Sequence, residues 1–262
     1  MNKYWRYVSF YFSIFFLLAF GAPTSIKAAS LQAIIVADTF DLSIGDGASA
    51  DLQKMRYAIQ QIAKQTKLAL KQDIIAGKNA TPAKLLAKLN KLKIKNNDVI
   101  IFFFSGHGYR TPSKNDNNPW PNLAFSQVDQ AIEFDFIIQK LEQLQPRLLL
   151  AISDSCNNVI PDAFAPILIH KAAEKLPSPN KVSENYRELF LHTSGTLLIA
   201  SSQPGEYSWA TSKGSLFTLA FLQQLDQEAK TTGIANWQDL LGRAANSLQD
   251  TQHPVYFIQL KN

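Results

Sequence analysis

The chain alternates apolar runs with amphipathic stretches over most of its length. Ala33–Asp38 (AIIVAD), Val99–Phe104 (VIIFFF), Arg147–Ser153 (RLLLAIS) and Thr196–Ala200 (TLLIA) are short, continuous apolar segments rich in β-branched and aromatic residues. Such runs predict strands buried on both faces. Leu68–Ala76 and Val255–Leu260 supply two more. Between them the period changes to that of a helix. From Asp51 onward Leu52, Met55, Ile59 and Ile62 share one face, with Asp51 as a candidate cap. Thr81-Pro82 opens a second helix, with Leu85, Leu86, Leu89 and Leu92 on one face and Lys84, Lys88, Lys91 and Lys95 on the other. Phe134–Leu144, Leu216–Leu225 and Trp237–Leu248 complete the helices. Thr39–Ala50 and Tyr109–Asn122 read as polar loops. Strands alternating with helices predict an α/β sandwich with a mostly parallel sheet.

The first 29 residues follow a different rule. They contain no acid; Lys3 and Arg6 precede a 13-residue apolar run, Val8 to Phe20, and small residues follow at Ala28 and Ala29. This is the three-part pattern of a secretory signal peptide. The run is shorter than the ~20 residues of a membrane span, so the expectation is a signal peptide at 1–29, a single domain at 30–262, a secreted or periplasmic location, and no stable membrane anchor after cleavage. The segment changes the reading of charge. The whole chain has 26 Lys+Arg against 21 Asp+Glu, a formal +5, but Lys3, Arg6 and Lys27 leave with the leader. The remaining +2 carries no argument for nucleic acid, and none is expected as a partner. The lysine face at 84–95 reads as solvated. The size, 46% hydrophobic and 18% charged, excludes disordered and disulfide-stapled classes.

One cysteine, Cys156, excludes an internal disulfide and a Cys-rich zinc site. It follows the strand RLLLAIS; His107 follows VIIFFF, 49 residues earlier. Chemistry in parallel sheets collects at the carboxyl ends of strands, where a thiol and an imidazole could meet as nucleophile and base. The structural alternative is a buried apolar cysteine and a turn histidine. Gly108 and Cys156 could offer backbone N–H groups to an oxyanion. His170, His192 and His253 have no metal-ligand spacing.

FFFSGHG followed by ISDSC resembles the caspase and metacaspase superfamily of cysteine peptidases, and IASSQPGEYSWATSKGSLFTLAF resembles its small-subunit segment. The resemblance implies a caspase-like three-layer α/β sandwich, with His107 as general base and acid and Cys156 as nucleophile. Gly108 and Cys156 are then the oxyanion donors. It implies no cofactor. Caspases cut after aspartate through arginines and a glutamine; here Asp154 stands two before the cysteine, and Ala210 follows Ser208-Trp209. Metacaspases, which cut after Arg or Lys, carry acids where Asp154 and Asp51 stand. Substrate-binding candidates are therefore Asp154, Asp51, Ser105 and Trp209, with basic peptide or protein segments as partners. The alternatives are a helix cap for Asp51 and a lysine pair for Asp154. Asn157-Asn158-Val159 replaces the metacaspase His-Ser-Gly, which leaves open a catalytically weak peptide- or partner-binding module. Asp116, Asp129 and Asp135 are too scattered to argue for a required calcium. The segment 157–195 corresponds to an inter-subunit linker, with Lys171, Lys175, Lys181 and Arg187 as candidate self-cleavage points.

Overall fold

A computed structural model describes residues 29–261 apart from 113, 116 and 159–178; the expected leader, Lys171 and Lys175 lie outside the described residues. The elements are β1 (Ser30–Ala37), α1 (Gly45–Thr66), β2 (Ala69–Ala76), α2 (Pro82–Leu89), β3 (Val99–Ser105), β4 (Gly108–Tyr109), β5 (Asn122–Phe125), β6 (Gln130–Glu133) and α3 (Phe134–Glu142). Then come β7 (Leu148–Asp154), α4 (Pro179–Arg187), β8 (Gly195–Ala200), β9 (Ala210–Thr211), β10 (Gly214–Ser215), α5 (Leu216–Ala229), α6 (Trp237–Asn246) and β11 (Val255–Leu260). Six strands form one sheet in the order β11-β8-β7-β3-β1-β2. All neighbours are parallel except β11, which runs antiparallel to β8.

The apolar runs sort by period two onto the two faces of this sheet. Ile35, Ile101, Phe103, Leu150, Ile152, Leu197 and Ile199 belong to one core, with Met55, Ile59 and Ile62 of α1 and with α5 and α6. Ile34, Val36, Ile100, Phe102, Phe104, Leu149 and Ala151 belong to a second, with Leu85 and Leu89 of α2 and Phe134, Ile137 and Leu141 of α3. Burial on both faces explains why these strands lack polar alternation. The three-layer α/β sandwich is therefore as expected.

Several expectations need correction. Helix α1 begins at Gly45, so Asp51 is a buried residue inside the helix and not its cap. Helix α2 ends at Leu89, so Leu92, Lys91 and Lys95 lie beyond it; Lys88 pairs with Asp73 of β2 at 2.7 Å. The expected start at Thr81-Pro82 holds: Pro82 is the first helical residue, and Thr81 Oγ accepts from the Lys84 N–H. The stretch 108–133 contains a three-stranded antiparallel sheet of β4, β5 and β6 that the sequence did not announce, because its strands are two to four residues long. Within 157–195, Lys181 and Arg187 lie on α4, not on a loop. A π-helical turn follows at Glu188–His192. Its carbonyls are gathered by the Arg147 guanidinium, which donates to Phe190, Leu191 and Thr193 at 2.6–2.8 Å, and by Trp237 Nε1 donating to Leu189. Among the described residues no helix is long and apolar enough to cross a membrane.

Candidate active site

Strand register builds the site. Ala37 of β1 is level with Ser105 of β3, and Ser105 with Asp154 of β7. The ladder continues one step past the strands through the Asp38 N–H to Ser105 O and the Gly106 N–H to Asp154 O. His107 and Cys156 therefore stand the same two residues beyond one aligned edge. Both line a single open cleft of about 550 Å³, together with Tyr109, Phe125, Asp129 and Tyr207. The β5–β6 hairpin forms one wall. A larger depression of about 610 Å³ between α1, α4 and α5 contains neither residue, so chemistry, not size, picks out the cleft.

The imidazole and the thiol are not hydrogen-bonded to each other. The Cys156 thiol donates to Ser208 O at 3.6 Å and accepts from the Ser208 N–H at 3.4 Å. Burial pushes its pKa up, with Asp154 adding to the rise and the Ser208 N–H opposing it. The resting sulfur is thus a protonated thiol that needs a base. His107 is half-exposed, and its Nε2 lies 3.3 Å from Asp41 Oδ1 and 3.2 Å from Ser43 Oγ. Neither Asp41 nor Ser43 was anticipated. Both sit in the polar loop after β1, where such residues ordinarily serve turns, so no local signal reveals a bond to a residue so distant in sequence.

Gly108 packs against the cysteine turn. A methyl group at its Cα would come within 2.4 Å of Cys156 O and 2.5 Å of Ser155 Oγ, so only glycine lets the two strand ends approach this closely. The turn is held by serines: Ser201 Oγ accepts from the Ser155 N–H, and both Ser201 and Ser202 donate to Ser155 O. Asn157 and Asn158 are buried at its far side, with Asn157 Nδ2 donating to Pro119 O at 2.7 Å.

Asp154 and Asp51 are buried behind Cys156. Among the described residues neither is paired with a lysine by a salt bridge. Asp154 accepts from Ser208 Oγ at 2.8 Å and from the Thr218 N–H and Oγ at 3.0 and 2.5 Å. Asp51 accepts from Ser105 Oγ at 2.8 Å and from the Ser215 N–H and Oγ at 2.9 and 2.6 Å. Burial raises both carboxyls; in Asp154, burial and then the neighbouring Asp51 charge push it up to about 7, against the opposing hydroxyls. A small pocket of about 30 Å³ beside His107 and Cys156 is lined by Ser105, Asp154, Ala48 and Ala210; Asp51 does not line it and lies buried behind Ser105 and Ser215.

Trp209 is the candidate the structure does not bring to the cleft. It is half-buried against the core, its ring 5.7 Å from that of Tyr207 and its backbone N–H donating to Gln252 Oε1. His192 and His253 are engaged with Glu188 and Glu206. Asp135 faces Lys114 while Asp129 lines the cleft. Among the described residues no three His, Cys, Asp or Glu side chains are grouped to hold a metal ion.

A strand-end thiol and imidazole in one cleft, beside a buried carboxylate pair, suit acyl transfer by a cysteine. Residues 32–261 match the family model of the caspase domain. No curated protein matches the chain significantly. With a match over nearly all of its described length, the chain belongs to the caspase-domain family of cysteine peptidases.

Proposed function

We propose that this protein is a secreted or periplasmic cysteine endopeptidase that cleaves after Arg or Lys. The observation that carries the reading is the shared cleft of His107 and Cys156, with Asp154 in the wall beside the sulfur. In the reaction, His107 takes the thiol proton and the Cys156 sulfur attacks the scissile carbonyl. The backbone N–H groups of Gly108 and Cys156 receive the oxyanion, and His107 returns the proton to the leaving amine. Water then hydrolyses the thioester. Absence of a thiol–imidazole bond in the substrate-free state does not count against this, because such contacts tighten when substrate binds.

Specificity follows from charge. Among the described residues, an aspartate side chain entering the small pocket would meet the Asp154 carboxylate and no cation, with the Asp51 charge buried behind Ser105 and Ser215; a guanidinium would find a carboxylate acceptor in Asp154. The resting pocket of about 30 Å³ holds about one water, so a long basic side chain fits only if lining residues such as Ser208 and Ala210 move aside on entry. Secretion is supported by the acid-free, three-part pattern of residues 1–29.

Fluorogenic peptides ending in Arg, Lys and Asp test the reading, with Cys156→Ala as control. The expected result is turnover of the Arg and Lys peptides, lost in Cys156→Ala and abolished on Arg by Asp154→Ala. Faster cleavage of the Asp peptide overturns the specificity. The closed pocket also favours one alternative, a weakly active peptide-binding module; binding of basic peptides without any cleavage or self-processing supports it instead.

A further inference from the structure

The loop between β1 and α1 brings a carboxylate to His107 that no sequence motif singles out. Asp41 Oδ1 accepts from the Ser43 N–H at 2.8 Å, Ser43 Oγ at 2.6 Å and the Ile44 N–H at 3.0 Å, and faces His107 Nε2 at 3.3 Å. Ser43 Oγ itself lies 3.2 Å from the same ring nitrogen. Both contacts converge on Nε2, and among the described residues none engages Nδ1. An acceptor at one ring nitrogen fixes the proton there and puts the lone pair on the other. Asp41 stays ionised throughout: burial works to raise its carboxyl, but the Ser43 hydroxyl, the Ser43 and Ile44 N–H groups and His107 together hold it well below the usual range. Its side chain is 13% exposed against 41% for His107, so the charge sits on the sheltered side of the ring.

We propose that Asp41 is a positioning residue that, with Ser43, holds His107 in the tautomer with the proton on Nε2, so that Nδ1 serves Cys156 and the centre works as a Cys156–His107–Asp41 triad. This rests on the peptidase reading above. When the thiol proton moves to Nδ1, the imidazolium forms beside a fixed carboxylate; when that proton passes to the leaving amine, the original tautomer is restored. Asp41 never takes the proton. The competing role, closing the turn into α1 through the Ser43 and Ile44 N–H groups, requires nothing of His107, and the two are separable.

Two readouts need no peptide substrate. Nitrogen NMR of Cys156→Ala reports the His107 tautomer, and iodoacetamide alkylation of the parent reports thiolate supply at Cys156. The expected parent tautomer carries its proton on Nε2. Asp41→Ala should give mixed tautomers and slow alkylation at neutral pH. On a cleaved peptide, kcat should fall about 10- to 100-fold, at or below the low end of the ~10²–10⁴-fold that a positioned general base itself contributes, with KM changed less than about twofold. Asp41→Asn keeps an Oδ1 acceptor and should restore the tautomer and much of the alkylation rate. Ser43→Ala keeps both backbone bonds of the turn and should cause a smaller loss, which covers the case of an Asp41→Ala that does not fold. A parent tautomer with its proton on Nδ1, or a folded Asp41→Ala with parental tautomer and alkylation rate, overturns the proposal. Tautomer and alkylation responding in a protein that cleaves no peptide would leave Asp41's role standing and remove the peptidase reading.

Discussion

Asp154 meets two opposing demands. It is fully buried and close enough to Asp51 for the two charges to repel, yet its oxygens accept from Ser208 and Thr218. Burial and the Asp51 charge prevail and place its carboxyl near 7. Close to neutrality the pair therefore carries part of a proton, and a cationic substrate side chain favours the form without it. KM for an Arg peptide is expected to fall as pH rises from about 6 to about 8, while a peptide with an uncharged side chain at that position shows no such trend. A flat KM–pH profile for the Arg peptide in steady-state assays would separate these acids from substrate binding. His107 and Cys156 stand out in the sequence because continuous apolar strands end just before them, and parallel sheets place reactive groups there; Asp154 stands out only through the family resemblance. Asp41 was not legible. Its local bonds to Ser43 and Ile44 are what any turn aspartate makes, and its contact with His107 arises only from strand order.

The same distinction holds for elements. The long apolar strands and Thr81-Pro82 were readable because each signal lies within a few residues. The start of α1 was misplaced because the segment before Asp51 is rich in Gly, Ser and Ala. Gly45 and Gly47 are needed there for contact: added methyl groups would meet Thr39 O and Thr211 O, each at 2.8 Å. Short strands β9 and β10 depend on another such contact. Gly214 has φ of +122°, and a methyl group on it would lie 2.6 Å from Asp51 Oδ1. Gly214→Ala combines backbone strain with displacement of a buried carboxylate, and should destabilise the protein by about 1–3 kcal/mol. It should also open the wall that carries Ala210. Urea unfolding measures the first effect; a loss within error would mean that the hairpin tolerates the strain by moving.

At the scale of the molecule, a two-faced sheet makes the core insensitive to pH, so the buried acids set how stability titrates. Two groups pull in opposite directions. Asp41 and Asp98 have lowered pKa values, each held down by backbone and side-chain donors that outweigh burial. Asp98 accepts from the Ser30 N–H and Oγ and from the Lys95 N–H, tying β1 to the start of β3. A lowered carboxyl contributes stability that is present above its unfolded value near 3.8 and lost as pH falls through the folded one. Asp51 and Asp154 are raised, so the unfolded chain gives up their protons first as pH rises. Their contribution is fully present below about 3.8 and is lost as pH climbs through about 7 for Asp154. Taken together, the two pairs predict a stability maximum near the unfolded carboxyl value of 3.8, with a decline toward neutrality that comes from the acids behind Cys156. Thermal unfolding of the parent between about pH 2 and 8 should show both the acid limb and that decline. Asp154→Asn should flatten it while leaving the acid limb, which belongs to Asp41 and Asp98, in place. A variant that lowers Tm equally at every pH would show that Asp154 acts there only as a hydrogen-bond acceptor for Ser208 and Thr218.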